Sequence, residues 1–233
     1  MAESMPILLV PGLLCTARLY SEQVAALWSL GPVTVADHTR DDTMNAIARR
    51  ILSTAPPRFA LAGLSMGGYI ALTIVRLAPE RVARLALLDT SARPDVPQQT
   101  ERRLSQIALA ESGKLGEVSQ ALWPLFVHRD RQQDQSLKQA VLGMAEQTGA
   151  EAFVRQQKAI MGRPDARPLL AAIKCPTLML VGDGDVLTPP ALAEEIVAGI
   201  PGSRLAVIPD SGHLSTMERP EAVNRALVAW MAD

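Results

Sequence analysis

Three residues of this 233-residue chain have the types and surroundings needed for nucleophilic chemistry. The first is Ser65, in the run Gly63-Leu64-Ser65-Met66-Gly67-Gly68. A lone hydroxyl stands there between two apolar stretches, hemmed in by residues without bulk. A serine in an ordinary turn needs no small neighbours on both sides. A serine on a sharp strand-to-helix bend does, because larger side chains would collide with the flanking backbone. The spacing is G-x-S-x-G, which lifts a hydroxyl above the end of a sheet; the alternative is a helix-capping serine with packed glycines.

A serine hydroxyl is a poor nucleophile near neutral pH and needs a base within hydrogen-bond reach. Of the three histidines, His38 in "ADHTRDD", after the second strand pattern, and His128, within the helical insertion of residues 92–168, read as solvated loop or surface residues. His213 ends the last strand pattern in "IPDSGHLSTMERP", after a glycine that lets the loop turn tightly, and is the expected base. The base in turn needs an orienting carboxylate. "VGDGDVLTPP" offers Asp183 and Asp185, and "LLDTSARPD" offers Asp89. Asp185 lies deeper in its loop and is favoured, giving the chain order Ser, Asp, His; Asp183 and Asp89 stay open. Asp89 otherwise reads as a loop anchor, and Asp210 as a brace for the loop before His213. Backbone N–H groups of Met66 and of Leu13, in "PGLLC", are the expected donors to an oxyanion. Gly12 either permits a close approach there or makes a plain Pro-Gly turn.

Positioning these groups requires a sheet whose strands end on one edge. Apolar runs at 6–12, 32–37, 58–65, 81–91, 175–185 and 203–213 alternate with helical patterns at 17–30, 43–55, 66–79, 189–200 and 220–232. Such alternation predicts an α/β fold with a mostly parallel six-stranded sheet flanked by helices. Between residues 92 and 168 the rhythm breaks into helices alone, at 98–111, 115–123, 133–147 and 151–161. The expected organisation is a core of residues 1–91 and 169–233, with a helical cap of residues 92–168 inserted after the fourth strand. Large apolar cap residues, Trp123, Phe126, Met144, Phe153 and Met161, are candidates for a substrate pocket, although helical spacing also suits plain packing. Arg131, Arg155, Arg163 and Arg167 could meet a substrate carboxylate or simply solvate the cap.

Composition narrows the partners. With 23 basic and 24 acidic residues the net charge is −1, so there is no electrostatic case for nucleic acid or an anionic membrane. Aromatic content of 3% argues against a base-stacking surface. Cys15 and Cys175 make neither a disulfide framework nor a metal cluster, and read as small buried hydrophobes. No metal is expected. The first residues carry no positive leader and too short an apolar run for a signal or a span, so a cytoplasmic location is expected.

Together, "GLSMGG", "PERVARLALLDTS", "GDGDVLTPP" and "SGHLSTMERPEAV" resemble the α/β-hydrolase superfamily over essentially the whole chain, most closely its compact capped members. Those include enol-lactonases, methyl-ester esterases and general carboxylesterases. The family's G-x-x-D-x-x-x-P pattern falls on Gly182, Asp185 and Pro189. Two departures stand out. Pro11-Gly12 replaces the His-Gly of many relatives, so hydrogen bonding in that loop is expected to differ, and the sequence begins at what would be the family's third strand. The resemblance implies a serine hydrolase without cofactor, acting on a small ester or lactone. Thioester or C–C bond hydrolysis, perhydrolysis and elimination use the same residues, and a non-catalytic binding module is the alternative of another class. A serine at position 65 disfavours dehalogenase and epoxide-hydrolase chemistry, which needs a carboxylate there.

Overall fold

The computed structural model describes residues 4–232. Six strands, β1 (Ile7–Val10), β2 (Val33–Val35), β3 (Phe59–Leu64), β4 (Val82–Leu88), β5 (Thr177–Gly182) and β6 (Arg204–Ile208), form one parallel sheet. Their order is β2-β1-β3-β4-β5-β6. Alternate residues of each strand point to opposite faces. Ile7, Leu9, Ala60, Ala62 and Leu64 therefore join one core, and Leu8, Val10, Phe59 and Leu61 the other. Every residue of β1, β3 and β5 is buried, as a strand covered on both faces requires. The edge strand β6 departs from that expectation: Leu205 and Val207 are exposed.

Helices α1 (Ser21–Leu27) and α10 (Pro220–Ala232) cover the first face, α10 through Val223, Leu227 and Trp230 at helical spacing. Helices α2 (Met44–Thr54), α3 (Met66–Leu77) and α8 (Pro190–Gly199) cover the second. The Thr43 hydroxyl caps α2 by accepting the Ala46 N–H at 3.2 Å.

Between β4 and β5 run α4 (Pro97–Glu111), α5 (Leu115–Phe126) and α6 (Gln135–Met161), then the short α7 (Arg167–Leu170). The 133–147 and 151–161 patterns are two helical segments of α6 that meet at Gly149, where φ is 77° and no helix can continue. Helix α5 runs past its expected end at 123, carrying Pro124 inside its last turn. That extra turn brings Leu125 and Phe126 to the functional edge. A one-turn helix, α9 (Ser215–Glu218), follows the sixth-strand loop and was not expected. No helix among the described residues is long and apolar enough to cross a membrane.

The chain steps outward from β1 to β2 and then returns past β1 to β3. Strand order thus reverses between β1 and β3, and ligand sites of open α/β sheets form in the crevice at such a point. Gly12 and Ser65 leave the two strands on either side of it.

Candidate active site

Ser65 occupies a backbone conformation that a non-glycine residue rarely adopts, with φ 55° and ψ −114°. Strain of this kind costs on the order of 1–3 kcal/mol and persists only where its surroundings enforce it. Here they do. A Cβ at Gly63 would strike the Gly67 carbonyl, one at Gly67 the Val10 carbonyl, and one at Gly68 the Thr90 side chain. The Ser65 N–H donates to Leu88 O at 2.9 Å, and the Thr90 hydroxyl to Ser65 O at 2.8 Å. The three glycines let strand, bend and helix close to this spacing. Gly12 is different, because a Cβ there would make only ordinary contacts of 3.4–3.5 Å.

Ser65 Oγ lies 2.8 Å from His213 Nε2, and His213 Nδ1 lies 2.8 Å from Asp185 Oδ2. The imidazole is buried and stacks on Phe126, with ring centroids 6.2 Å apart. Asp185 Oδ1 accepts the backbone N–H groups of Leu187 and Thr188 at 2.9 and 3.0 Å, and Oδ2 also accepts the Thr188 hydroxyl at 2.7 Å. Burial alone would raise the Asp185 carboxyl, but His213 and these donors outweigh it and hold the group below the usual carboxylate range. Burial likewise opposes a charged His213, yet the Asp185 carboxylate beside it lifts the imidazole above its usual value of 6.5.

The other carboxylates take separate places. Asp89 accepts the Gly182 N–H at 2.9 Å and the Ser215 hydroxyl, so it joins the ends of β4 and β5 to the loop carrying His213. Burial, with the Asp185 charge near it, pushes its carboxyl well above the usual range. Asp183 reaches the Ser211 N–H at 3.3 Å. Asp210 is largely exposed and pairs with Arg219 at 3.5 Å. The main brace of the His213 loop is instead Glu218, which accepts Gly212 N–H at 2.8 Å and His128 N–H at 2.7 Å. Sequence reasoning missed Glu218. It also missed Thr188, although an Asp followed three residues later by Thr is a readable turn signal.

Leu13 and Met66 flank Ser65, and their N–H groups donate to no described residue. The loop around Leu13 is tied down on both sides. Gly12 O receives the Cys15 N–H at 3.1 Å and lies 2.9 Å from His38 Nε2, while the Leu14 N–H donates to Gln156 Oε1 at 3.2 Å. Gln156 Nε2 sits 3.0 Å from the same His38 nitrogen, and the Tyr20 hydroxyl donates to Val10 O at 3.0 Å. The expectation that His38 is solvated is therefore corrected: it is buried, and burial lowers its pKa so that the ring stays neutral. His38 and Gln156 hold the Pro11-Gly12 loop in a way the sequence did not announce. His128 is not a free surface group either, since its ring packs over Gly184.

A cavity of about 240 Å³ opens over Ser65 and His213. Of the five apolar cap candidates only Phe126 lines it. The Trp123 indole donates to Gln132 O at 3.0 Å, Met144 and Phe153 are fully buried in the core, and Met161 lies off the wall. Trp123, Met144 and Phe153 follow the packing alternative, whereas Met161 is half-buried and joins neither core cluster. Of the four arginine candidates only Arg163 faces the cavity; Arg131 binds Asp134 and Glu218 O, Arg155 binds Thr39 O, and Arg167 binds Asp165. Cys15 also lines it, with burial pushing its thiol up to about 12 and so removing it as a nucleophile.

A parallel sheet with a strained serine beside its reversal point, relayed to a histidine and a carboxylate, defines a hydrolase scaffold. Residues 7–226 match the alpha/beta hydrolase family, and the chain belongs to it. It superposes on a thermophilic esterase from Thermogutta terrifontis, solved with malate bound, with a TM-score of 0.89, 30% identity and coverage of 99% of this chain and 90% of that one. It is 29% identical over 218 residues to a putative non-heme bromoperoxidase, BpoC, of Mycobacterium tuberculosis, covering 87% of this chain and 79% of that protein. A 2-hydroxy-6-oxononadienedioate/2-hydroxy-6-oxononatrienedioate hydrolase of Escherichia coli strain K12 is 27% identical over 217 residues, covering 88% and 73%.

Proposed function

We propose that the protein is a serine hydrolase that cleaves a small carboxylic ester or lactone through an acyl-enzyme on Ser65. The observation that carries this reading is His213 bridging Ser65 Oγ and Asp185 Oδ2 at 2.8 Å on each side. Ser65 Oγ attacks the substrate carbonyl as His213 Nε2 takes its proton. Asp185 holds the proton on Nδ1 and stabilises the imidazolium. The N–H groups of Leu13 and Met66 receive the oxyanion, helped by the positive end of α3. His213 then protonates the departing alkoxide, and next takes a proton from the water that releases the acid and restores Ser65. The named esterase relative supports an ester substrate. A carbon–carbon substrate is the second reading, favoured by the Escherichia coli relative's name as a hydrolase of a 2-hydroxy-6-oxo acid.

Hydrolysis of p-nitrophenyl esters from acetate to laurate tests this reading. Short acyl chains should turn over, and the chain length at which turnover falls off sizes the acyl part of the cavity over Ser65. The pH profile has a definite sign. Only neutral His213 accepts the Ser65 proton, so kcat/KM should fall as pH drops through the histidine pKa, with its midpoint above 6.5. Asp185→Asn removes the charge that raises that pKa and should move the limb down. No turnover across the series, or a flat acid limb, would overturn the assignment.

A further inference from the structure

The cavity over Ser65 is unusual in its charge. Arg93, Arg102, Arg103 and Arg163 all line it, whereas no aspartate or glutamate among the described residues does. Arg93 is taken by Glu195 at 2.9 Å. Arg103 and Arg163 share one carboxylate, Asp95, at 2.6 and 2.7 Å. Arg102 is exposed and makes no ion pair or hydrogen bond with any described residue. Four guanidinium groups thus meet two carboxylates, which leaves two positive charges uncompensated on the wall. Asp185 does not line the cavity.

Pairing explains why Arg163 can be buried. Its side chain is only 6% exposed, and a buried guanidinium is tolerated where its charge is paired and its N–H groups are bonded. Its plane is fixed over the Tyr69 ring at 4.3 Å, four residues beyond Ser65. Nε donates to Arg93 O at 3.0 Å, and Nη1 to Asp95 at 2.7 Å and Ile160 O at 2.9 Å. Those bonds leave Nη2 without a partner among the described residues. A fork held this way loses little entropy on meeting an oxyanion.

We propose that the substrate carries a carboxylate in addition to the bond that is cleaved, and that Arg102 and Arg163 receive it. The inference rests on the hydrolase reading for the reacting end only. A carboxylate fits better than a phosphate monoester, because Leu122, Leu125, Phe126, Leu187 and Leu192 make much of the remaining wall. Desolvating a dianion against such a surface is far harder than desolvating a monoanion. Arg163 selects by position inside the cavity, and Arg102 attracts the anion at its exposed edge.

The test separates binding from turnover. Calorimetry on Ser65→Ala would compare monomethyl glutarate, an anion, with dimethyl glutarate, its neutral counterpart, and with inorganic phosphate. The monoester should bind at least about tenfold more tightly than the diester at low salt, with the ratio shrinking as ionic strength rises. Adding Arg102→Gln should lower that ratio at least about threefold, and because the side chain is exposed and bonded to no described residue its replacement leaves the fold intact. Arg163→Lys, which keeps the charge but loses the fork, should lower it as well. Equal affinities, a tighter diester, a ratio indifferent to Arg102→Gln, or phosphate binding above the monoester would each overturn the proposal. Because Ser65→Ala binds without reacting, any of these outcomes leaves the hydrolase reading to its own assay on the native protein.

Discussion

His213→Ala is expected to lower kcat on a short p-nitrophenyl ester by on the order of 10⁴-fold or more at pH 8, and Ser65→Ala by a similar factor. The two side chains act as one unit: without the base the Ser65 hydroxyl is not activated, and without the hydroxyl the base has nothing to deprotonate. The double variant should therefore be no slower than either single one. KM should change little, since neither group holds the non-reacting parts of the substrate. Asp185→Asn should fall less far. Its replacement keeps an oxygen for the Leu187 and Thr188 N–H groups but loses the charge facing His213 Nδ1. Steady-state kinetics on the four variants checks this pattern, and additive losses in the double variant would show that the 2.8 Å relay is not used as a unit.

Gly67→Ala is expected to damage both stability and rate, although it adds one methyl group. The new Cβ would strike the Val10 carbonyl oxygen and come within 2.9 Å of Pro11 O, both of them backbone atoms entering the Leu13 loop. Neither can yield without moving β1 or the start of α3. Overpacking of this kind costs about 3 kcal/mol, which lowers Tm by roughly 6–12 °C in a chain of this size. Displacing Ser65 by about 1 Å from the oxyanion donor proposed on Leu13 should reduce kcat/KM by about 100-fold. Gly143→Ala provides the contrast. That glycine sits in α6 with nothing within 4 Å of an added Cβ, so alanine should stabilise the helix by up to about 1 kcal/mol. Thermal unfolding of the pair separates the two cases, and equal Tm values would contradict the steric account of the bend.

What the sequence made legible follows from where each constraint acts. Ser65 could be read because its conformation demands small residues at 63, 67 and 68, all within one short run. The strands could be read because burial on both faces leaves an unbroken apolar stretch. Asp185 and His213 were reachable because both lie in loops that leave the carboxyl ends of neighbouring strands of a parallel sheet, β5 and β6, and so share an edge. The hold on the Leu13 loop was not legible. Gln156 lies 142 residues from Leu14 and 118 from His38, and neither side chain leaves a local pattern that announces the contact. The cavity wall was misread for a related reason. Helical spacing shows that Trp123, Met144 and Phe153 are buried but not which neighbour buries them, while the continuation of α5 through Pro124 set which residues reach His213. Glu218 was hidden because its partners are backbone N–H groups, which carry no sequence signature.

The central claim is that Ser65 is the nucleophile, and covalent trapping tests it most directly. Native protein treated with an alkyl fluorophosphonate should gain the mass of one phosphonyl group, located by peptide mass spectrometry on Ser65, with esterase activity lost in proportion. Ser65→Ala should gain nothing under the same conditions. An adduct on another residue, or full ester turnover by a protein carrying the Ser65 adduct, would contradict the account.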